Sequence, residues 1–313
     1  MRILHISDSH LGQHLRTWRG PAGWTHERDL LNGLAASLDL AQNESVDLIV
    51  HSGDLYDRKR PEPQVIAEAR ALLGAAARHV PVLVIAGNHD VGTMSTLAEL
   101  PGVIALDEPR ALTLCGTRIA ALPFERDRAT WAAQAAELVP GCDVAITHQS
   151  FHGARVPGFT FRDTRDDTLG LAHMPPGDEL MLCGHIHVAQ RVALGSRSIL
   201  HCGSTARTSA GEGPDAKVAL VIDLGSTPSW HLLPLPERDF VHVRSYQDLR
   251  DVAPGALVHL AREHDAALTD AVLAAGGWFA VRRPRRSPSA RDQLGLFAGD
   301  NTLHPSEKRD KTD

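Results

Sequence analysis

Short apolar runs, rich in β-branched residues and closed by polar or glycine residues, mark the first part of the chain: Arg2–Ser7, Asp47–Ser52 and Pro81–Ala86. Continuous runs of this kind suit strands buried on both faces, so each predicts a strand in a covered sheet. Between them the period changes. Leu30, Leu31, Leu34, Leu38 and Ala41 recur at helical spacing within His26–Asn43, which predicts an amphipathic helix. A second helix is predicted over Pro63–Arg78, with Pro63 in the first turn, where its missing N–H is not needed. Strand–helix–strand–helix–strand order predicts a parallel sheet with right-handed crossovers.

From about Val103 the rhythm becomes strand-rich. Ala111–Cys115 and Arg118–Leu122 flank Gly116-Thr117, read as a two-residue hairpin turn. A helix near Arg128–Val139 and a strand at Asp143–Thr147 follow. Beyond Glu179 the predicted strands are Leu180–Cys183, Gln190–Leu194, Arg197–His201, Lys217–Asp223 and Trp230–Leu235. The fold class expected is α/β, with two packed mixed sheets and helices outside. Pro234-Leu235-Pro236 marks a boundary, so residues 1–236 form the main domain. Residues 237–283 read as a small βαβ-like appendage, with strands near Val241 and Leu257–Leu260 and a helix at Leu268–Ala275. Residues 284–313 hold Arg, Ser, Pro, Asp and Lys with little to bury, the composition of a disordered tail.

Composition narrows the setting. The 313 residues are 43% hydrophobic and 22% charged, typical of a globular protein, and no apolar run reaches the roughly 18 residues of a membrane span. The N-terminus enters a strand at once, without the apolar stretch of a signal peptide, so a cytoplasmic protein is expected. Cys115, Cys142, Cys183 and Cys202 are scattered, form no CxxC pair, and read as small buried hydrophobes in a reducing compartment. A net charge of −6 disfavours nucleic acid mildly, unless the acidic groups neutralise bound metal. The 18 histidines call for a chemical explanation.

Five patterns supply it, each at or just after the C-terminal end of a predicted strand: Asp8-Ser9-His10, Gly53-Asp54, Gly87-Asn88-His89-Asp90, His148 after Ala145-Ile146-Thr147, and Gly184-His185-Ile186-His187. Ligands gather where strands of an open α/β sheet deliver their carboxyl ends. Two Asp, one Asn and four His without thiolate suit manganese, iron or zinc better than calcium. Seven ligands exceed the needs of one ion, whereas two ions about 3.5–4 Å apart with a bridging carboxylate use them all. Any one pattern is weak evidence, since strand-end Asp often caps a loop; the five in order are specific.

DxH, GD, GNHD, a lone His and GHxH in this order resemble the signature of calcineurin-like metallophosphoesterases. Met1–Gly12, Ser52–Arg58 and Gly203–Ser209 resemble more narrowly the SbcD-type DNA repair exonucleases, over about Met1–Asp223. The resemblance implies a four-layer fold. It implies that Asp8, His10 and His187 hold one ion, Asn88, His148 and His185 the other, and that Asp54 bridges them. His89 would position the scissile phosphate or protonate the leaving oxygen, and Asp90 would orient that imidazole. The activity implied is phosphodiester hydrolysis by metal-activated water, with two divalent ions, Mn2+ first, as cofactors, DNA as substrate and an SMC-like ATPase as partner. The region after Val281 is shorter than the capping and docking segments of that subgroup, which counts against the ATPase. A small-molecule phosphoesterase on the same scaffold, or a non-catalytic adaptor, are the other classes considered.

Several further residues carry weaker expectations. Arg207 is a phosphate contact or a solvated surface residue. His5 and His51 read as interior, and His152 could line the cleft. Arg155, Arg162 and Arg165 lie among Phe159 and Phe161, a mixture that suits a nucleic-acid strand. In the tail, Gln293-Leu294-Gly295-Leu296-Phe297 resembles the pentapeptide by which bacterial replication proteins bind the sliding clamp. Gln293, Leu294, Leu296 and Phe297 would be its anchors.

Overall fold

A computed structural model describes residues 1–15, 18–20, 24–156, 167–213, 215–243, 245–260, 266–274 and 278–281. Two six-stranded mixed sheets dominate it. In the first the strand order is Ser229–Pro234, Val218–Asp223, Arg2–Ile6, Leu48–His51, Val82–Ile85 and Val103–Leu106, with the last four parallel. In the second it is Gln190–Leu194, Arg197–His201, Leu180–Cys183, Val144–Thr147, Thr117–Leu122 and Arg110–Leu114, parallel across the middle four.

Side-chain alternation turns these sheets into layers. On the first sheet Ile3, Leu48, Val50, Leu83 and Ile85 point inward, where they meet Ile119, Ala121, Val144, Ile146, Leu180 and Leu182 of the second. The neighbours Leu4, Ile6, Ile49, Val82 and Val84 point the other way, onto Leu30, Leu34, Leu38, Ala69 and Leu73 of helices His26–Asn43 and Pro63–Ala77. On the far side, Trp131 and Ala135 of helix Arg128–Leu138 cover Ala120, Ala145, Met181 and Ile199. The result is helix, sheet, sheet, helix. Because strands such as Arg2–Ile6 are buried on both faces, they read as unbroken apolar runs.

Local rules set the ends. Thr25 Oγ1 accepts from Arg28 N at 3.2 Å and Asp127 Oδ1 from Thr130 N at 2.8 Å, so two helices begin on side-chain caps. The hairpin is shifted by one residue from expectation. Leu114 pairs with Thr117, leaving Cys115 and Gly116 as the turn, with φ of 49° and 77°. Two consecutive positive φ values are what a hairpin turn matching strand twist needs. Cys115 is thereby exposed, against the expectation of burial, while Cys142, Cys183 and Cys202 are buried; all four are free.

The C-terminal appendage is a four-stranded sheet ordered Phe240–Val243, Leu257–Leu260, Trp278–Val281 and Trp18–Arg19, with helix Ala266–Ala274. The fourth strand comes from the N-terminal loop. Arg19 pairs with Phe279 and Trp18 with Ala280, and a two-residue strand leaves no period to detect. The appendage has its own small core of Val243, Val258, Leu260, Leu268 and Val272. The clamp-like residues Gln293, Leu294, Leu296 and Phe297, and Phe159, Phe161, Arg162 and Arg165, lie outside the described residues.

Candidate metal centre

Every motif sits where a parallel strand ends. Asp8 and His10 follow Arg2–Ile6, Asp54 follows Leu48–His51, and Asn88 and His89 follow Val82–Ile85; His148 follows Val144–Thr147, and His185 and His187 follow Leu180–Cys183. The two sheets therefore present their carboxyl edges to one shared rim. To turn there the backbone enters the left-handed region at Asp8, His10, Asp54 and His185, with φ of 54°, 45°, 54° and 74°. Such residues cost about 1 kcal/mol or more each and persist only when their surroundings enforce them. Asp8 N bonds Gly53 O and His10 N bonds Asp54 O, both at 3.0 Å, so the two strained turns brace each other.

Glycines let these turns approach. A Cβ on Gly53, itself at φ 105°, would stand 2.3 Å from His148 Nδ1. One on Gly87 would stand 2.2 Å from Asp54 Oδ1. The motif glycines are thus clearance for the side chains that follow them.

The donor atoms converge. His10 Nε2 lies 3.1 Å from His187 Nε2 and 3.6 Å from Asp54 Oδ2. His148 Nε2 lies 3.3 Å from Asp54 Oδ2, 3.1 Å from Asn88 Oδ1 and 3.9 Å from Asp8 Oδ1. His185 Nδ1 lies 2.7 Å from the same Asn88 Oδ1, and His187 Nε2 lies 3.7 Å from Asp8 Oδ1. Three overlapping groups could each hold an ion: Asp8, His10 and His187; Asp8, Asp54 and His148; and His10, Asp54 and His89. Asp8, His10 and Asp54 each belong to two of them.

The surroundings fit a cation. Asp8, Asp54 and His148 are at most 2% exposed, and burying carboxylates without positive charge is costly. Burial alone would raise Asp54, yet the charge and hydrogen bond of His148 outweigh it and hold this carboxyl well below the usual range. Burial would lower His148, and Asp54 and Asp8 reverse that, pushing it up to about 9. The carboxylate pair therefore recruits positive charge from a buried ring. No thiolate competes, because burial raises both Cys183 and Cys202.

His89 stands at the exposed edge of the site, its ring 4.8 Å from that of His10 in a T-shaped contact. Its Nδ1 bonds the Asp57 carbonyl at 2.9 Å. Asp90 does not orient it, contrary to expectation. The buried Asp90 carboxylate instead accepts from Gly87 N at 2.7 Å and Tyr56 N at 3.1 Å, tying the two loops that carry Asn88 and Asp54.

The expectation for Arg207 is also corrected. It is 8% exposed, bonds Glu237 Oε2 at 2.6 Å and the Gly213 carbonyl, and lies over the Phe240 ring. With both terminal guanidinium nitrogens bonded inside the protein it joins the main body to the appendage, beside a cavity of about 210 Å³ lined by Trp18, His26, Asp29 and Arg238. His5 and His51 are buried, and His152 is exposed.

Sequence reasoning missed four residues that touch the site. Asp57 Oδ1 lies 3.3 Å from His10 Nδ1, and Thr208, Glu212 and Lys217 cluster around His187. Asp57 and Thr208 lie within Ser52–Arg58 and Gly203–Ser209, stretches that carry the resemblance; Glu212 and Lys217 carry no local signal.

The sequence model of one family, described as calcineurin-like phosphoesterase, matches residues 1–189 and so takes in all seven converging residues. The chain belongs to that family. Among relatives of this phosphoesterase, a DNA double-strand break repair protein Mre11 of Halobacterium salinarum is 28% identical over 221 residues, covering 67% of this chain and 53% of that protein. The Mre11 of Thermoplasma acidophilum is 35% identical over 88 residues, 28% of this chain and 22% of its own length. A subunit of the nuclease SbcCD of Bacillus subtilis is 36% identical over 93 residues, 29% of this chain and 22% of that protein. This phosphoesterase thus spans about half or less of the length of these relatives. No helix among the described residues is long and apolar enough to cross a membrane.

Proposed function

We propose that this chain is a dinuclear-metal phosphodiesterase that cleaves DNA in repair, with manganese as its metal. The observation that carries the reading is the convergence of Asp8, His10, Asp54, Asn88, His148, His185 and His187 on one rim from five strand ends. Asp8, His10 and His187 would hold one ion, Asn88, His148 and His185 the second, and Asp54 would serve both. Two such ions supply water deprotonated near neutral pH and offset charge on the phosphate.

The chain's own residues arrange the rest. His185 N donates to both Asp8 oxygens at 3.1 and 3.0 Å, and His89 N donates to Asp54 Oδ1 at 2.8 Å, so both carboxylates are aimed by backbone. His148 Nδ1 donates to Ser52 O at 2.7 Å, which leaves Nε2 as its ligating atom. His89 donates from Nδ1 to the Asp57 carbonyl, so its Nε2 gives a proton to the leaving oxygen only when the ring is doubly protonated. Its exposure at the rim gives an incoming backbone access.

DNA as substrate draws support from the relatives, whose names place them in double-strand break repair and in a nuclease. A cytoplasmic setting and a cap in residues 237–283 belong to the same proposal, and assembly with an SMC-like ATPase draws support from the Bacillus subtilis relative, named as one subunit of its nuclease. A sliding-clamp contact rests on Gln293–Phe297 alone.

The test is Mn2+-dependent cleavage of a labelled linear duplex beside hydrolysis of bis(p-nitrophenyl) phosphate. DNA cleavage that falls about a hundredfold or more in Asp54→Asn, with a metal-free melting curve that shows the variant folded, is expected. Hydrolysis of the ester with DNA left intact replaces the nuclease with a small-molecule phosphoesterase.

A further inference from the structure

His187 is the one converging residue whose second ring nitrogen meets a network of side chains. Thr208 Oγ1 lies 2.7 Å from His187 Nδ1 and Glu212 Oε1 lies 3.2 Å from it. Glu212 and Lys217 are each 1% exposed and form an ion pair. Lys217 Nζ also donates to Ser204 Oγ at 2.8 Å and to the His187 carbonyl at 3.0 Å. Three ammonium protons thus meet three acceptors, and a buried charge is fully satisfied. Thr208 donates its hydroxyl to Glu212 Oε1 at 2.5 Å, and Thr208 N donates to the same oxygen at 3.1 Å.

The proton count then decides the ring. An ionised carboxylate only accepts, and the single Thr208 hydroxyl proton is committed to Glu212. Both atoms facing His187 Nδ1 are therefore acceptors, so Nδ1 carries a proton. Nε2, on the Asp8 and His10 side, is left to bind an ion. A metal-bound imidazole is fixed in this way when its other nitrogen donates to an oxygen. Lys217 grips ring and backbone together, through Glu212 and through the His187 carbonyl.

We infer that Thr208 and Glu212, anchored by Lys217, are positioning residues that hold His187 in the Nδ1–H form and aim Nε2 at the ion shared with Asp8 and His10. This rests on the metal-dependent reading above, and it extends that site beyond residues 1–189, the span of the family match. Glu212, Lys217 and Thr208 come from the loop after Arg197–His201 and from the residue before strand Val218–Asp223, so a segment beyond the family match sets the geometry of the last of the seven ligands.

Two measurements test it. Calorimetric titration of the purified full chain with Mn2+ compares wild type, Thr208→Val and Thr208→Ser. Valine keeps the shape and removes the oxygen, and serine restores it. We expect one Mn2+ site to weaken about tenfold to a hundredfold in Thr208→Val and to recover in Thr208→Ser, with metal-free melting temperatures that show all three folded. A Thr208→Val isotherm superimposed on wild type overturns the inference while leaving the proposed function intact; wild-type protein that takes up no Mn2+ overturns both. Long-range 1H–15N spectra of histidine-labelled, metal-free protein, assigned against His187→Gln, read the ring directly. A protonated Nδ1 is expected, and a proton on Nε2 alone overturns the inference whatever the metal data show.

Discussion

His10 Nε2 and His187 Nε2 lie 3.1 Å apart although 177 positions separate them in the chain. Two imidazole nitrogens at that distance cannot both present lone pairs unless a proton or a cation lies between or beside them. With Asp8 and Asp54 close by, the arrangement gains stability from positive charge.

Metal removal therefore unfolds the protein more easily. At Mn2+ concentrations about a thousandfold above its dissociation constant, binding to the folded chain alone adds roughly 4 kcal/mol. A melting temperature that rises on adding Mn2+ and falls back with a chelator is expected. Melting curves that coincide with and without metal would contradict a cation in this rim.

Gly87→Ala acts through clearance. Its Cβ would stand 2.2 Å from Asp54 Oδ1 and 2.4 Å from Asp54 N, so backbone or carboxylate must move. Urea denaturation is expected to show a loss of about 1–3 kcal/mol, and Mn2+ affinity falls with it because the shifted group is Asp54. A variant with wild-type stability and affinity would show that these loops are slack.

Arg207→Ala separates an internal tie from a substrate contact. Its partners Glu237, Gly213 and Phe240 are all protein groups. Truncation removes the Glu237 ion pair and the packing on Phe240, leaving Glu237 with the Lys217 N bond alone, and is expected to cost about 1–3 kcal/mol, while KM for a phosphodiester substrate stays within about twofold. A large rise in KM at unchanged stability would restore Arg207 as a phosphate ligand.

Acid weakens the fold through two buried rings that lie beside the converging donors but are not among them. Burial first, then the neighbours His201 and His51, lowers His5 to about 3; burial first, then His148, lowers His201 to about 4, against the Gly184 carbonyl. Both rings are neutral in the fold but protonate at an ordinary pKa of 6.5 when unfolded. Their contribution is complete above pH 6.5 and is lost as pH falls toward 4. Each costs about 2 kcal/mol by pH 5. Urea midpoints at pH 7.5 and 5.0 check this, and His201→Gln is expected to flatten the slope. Equal midpoints would mean these rings are hydrated.

The strands were legible because burial on both faces writes an unbroken apolar run, as in Leu48–His51. Helix His26–Asn43 was legible through its spacing of Leu30, Leu34 and Leu38. The hairpin turn was misplaced by one residue because Cys115 carries no turn preference of its own and is driven to φ 49° by the pairing of Leu114 with Thr117. Strand Trp18–Arg19 was invisible because two residues have no period, and only Trp278–Val281 gives them a partner.

What the chain's order of residues determined by itself is the set of strand ends and the polar residues placed on them, since both are local facts of periodicity and spacing. Which nitrogen of His187 faces Asp8, where the carboxylate of Asp90 points, and that Arg207 is spent on Glu237 were decided by tertiary structure. Each of these depends on an atom brought near from a distant segment, and hydrogen bonds and charges act over a few ångströms of space, however far apart the residues stand along the chain.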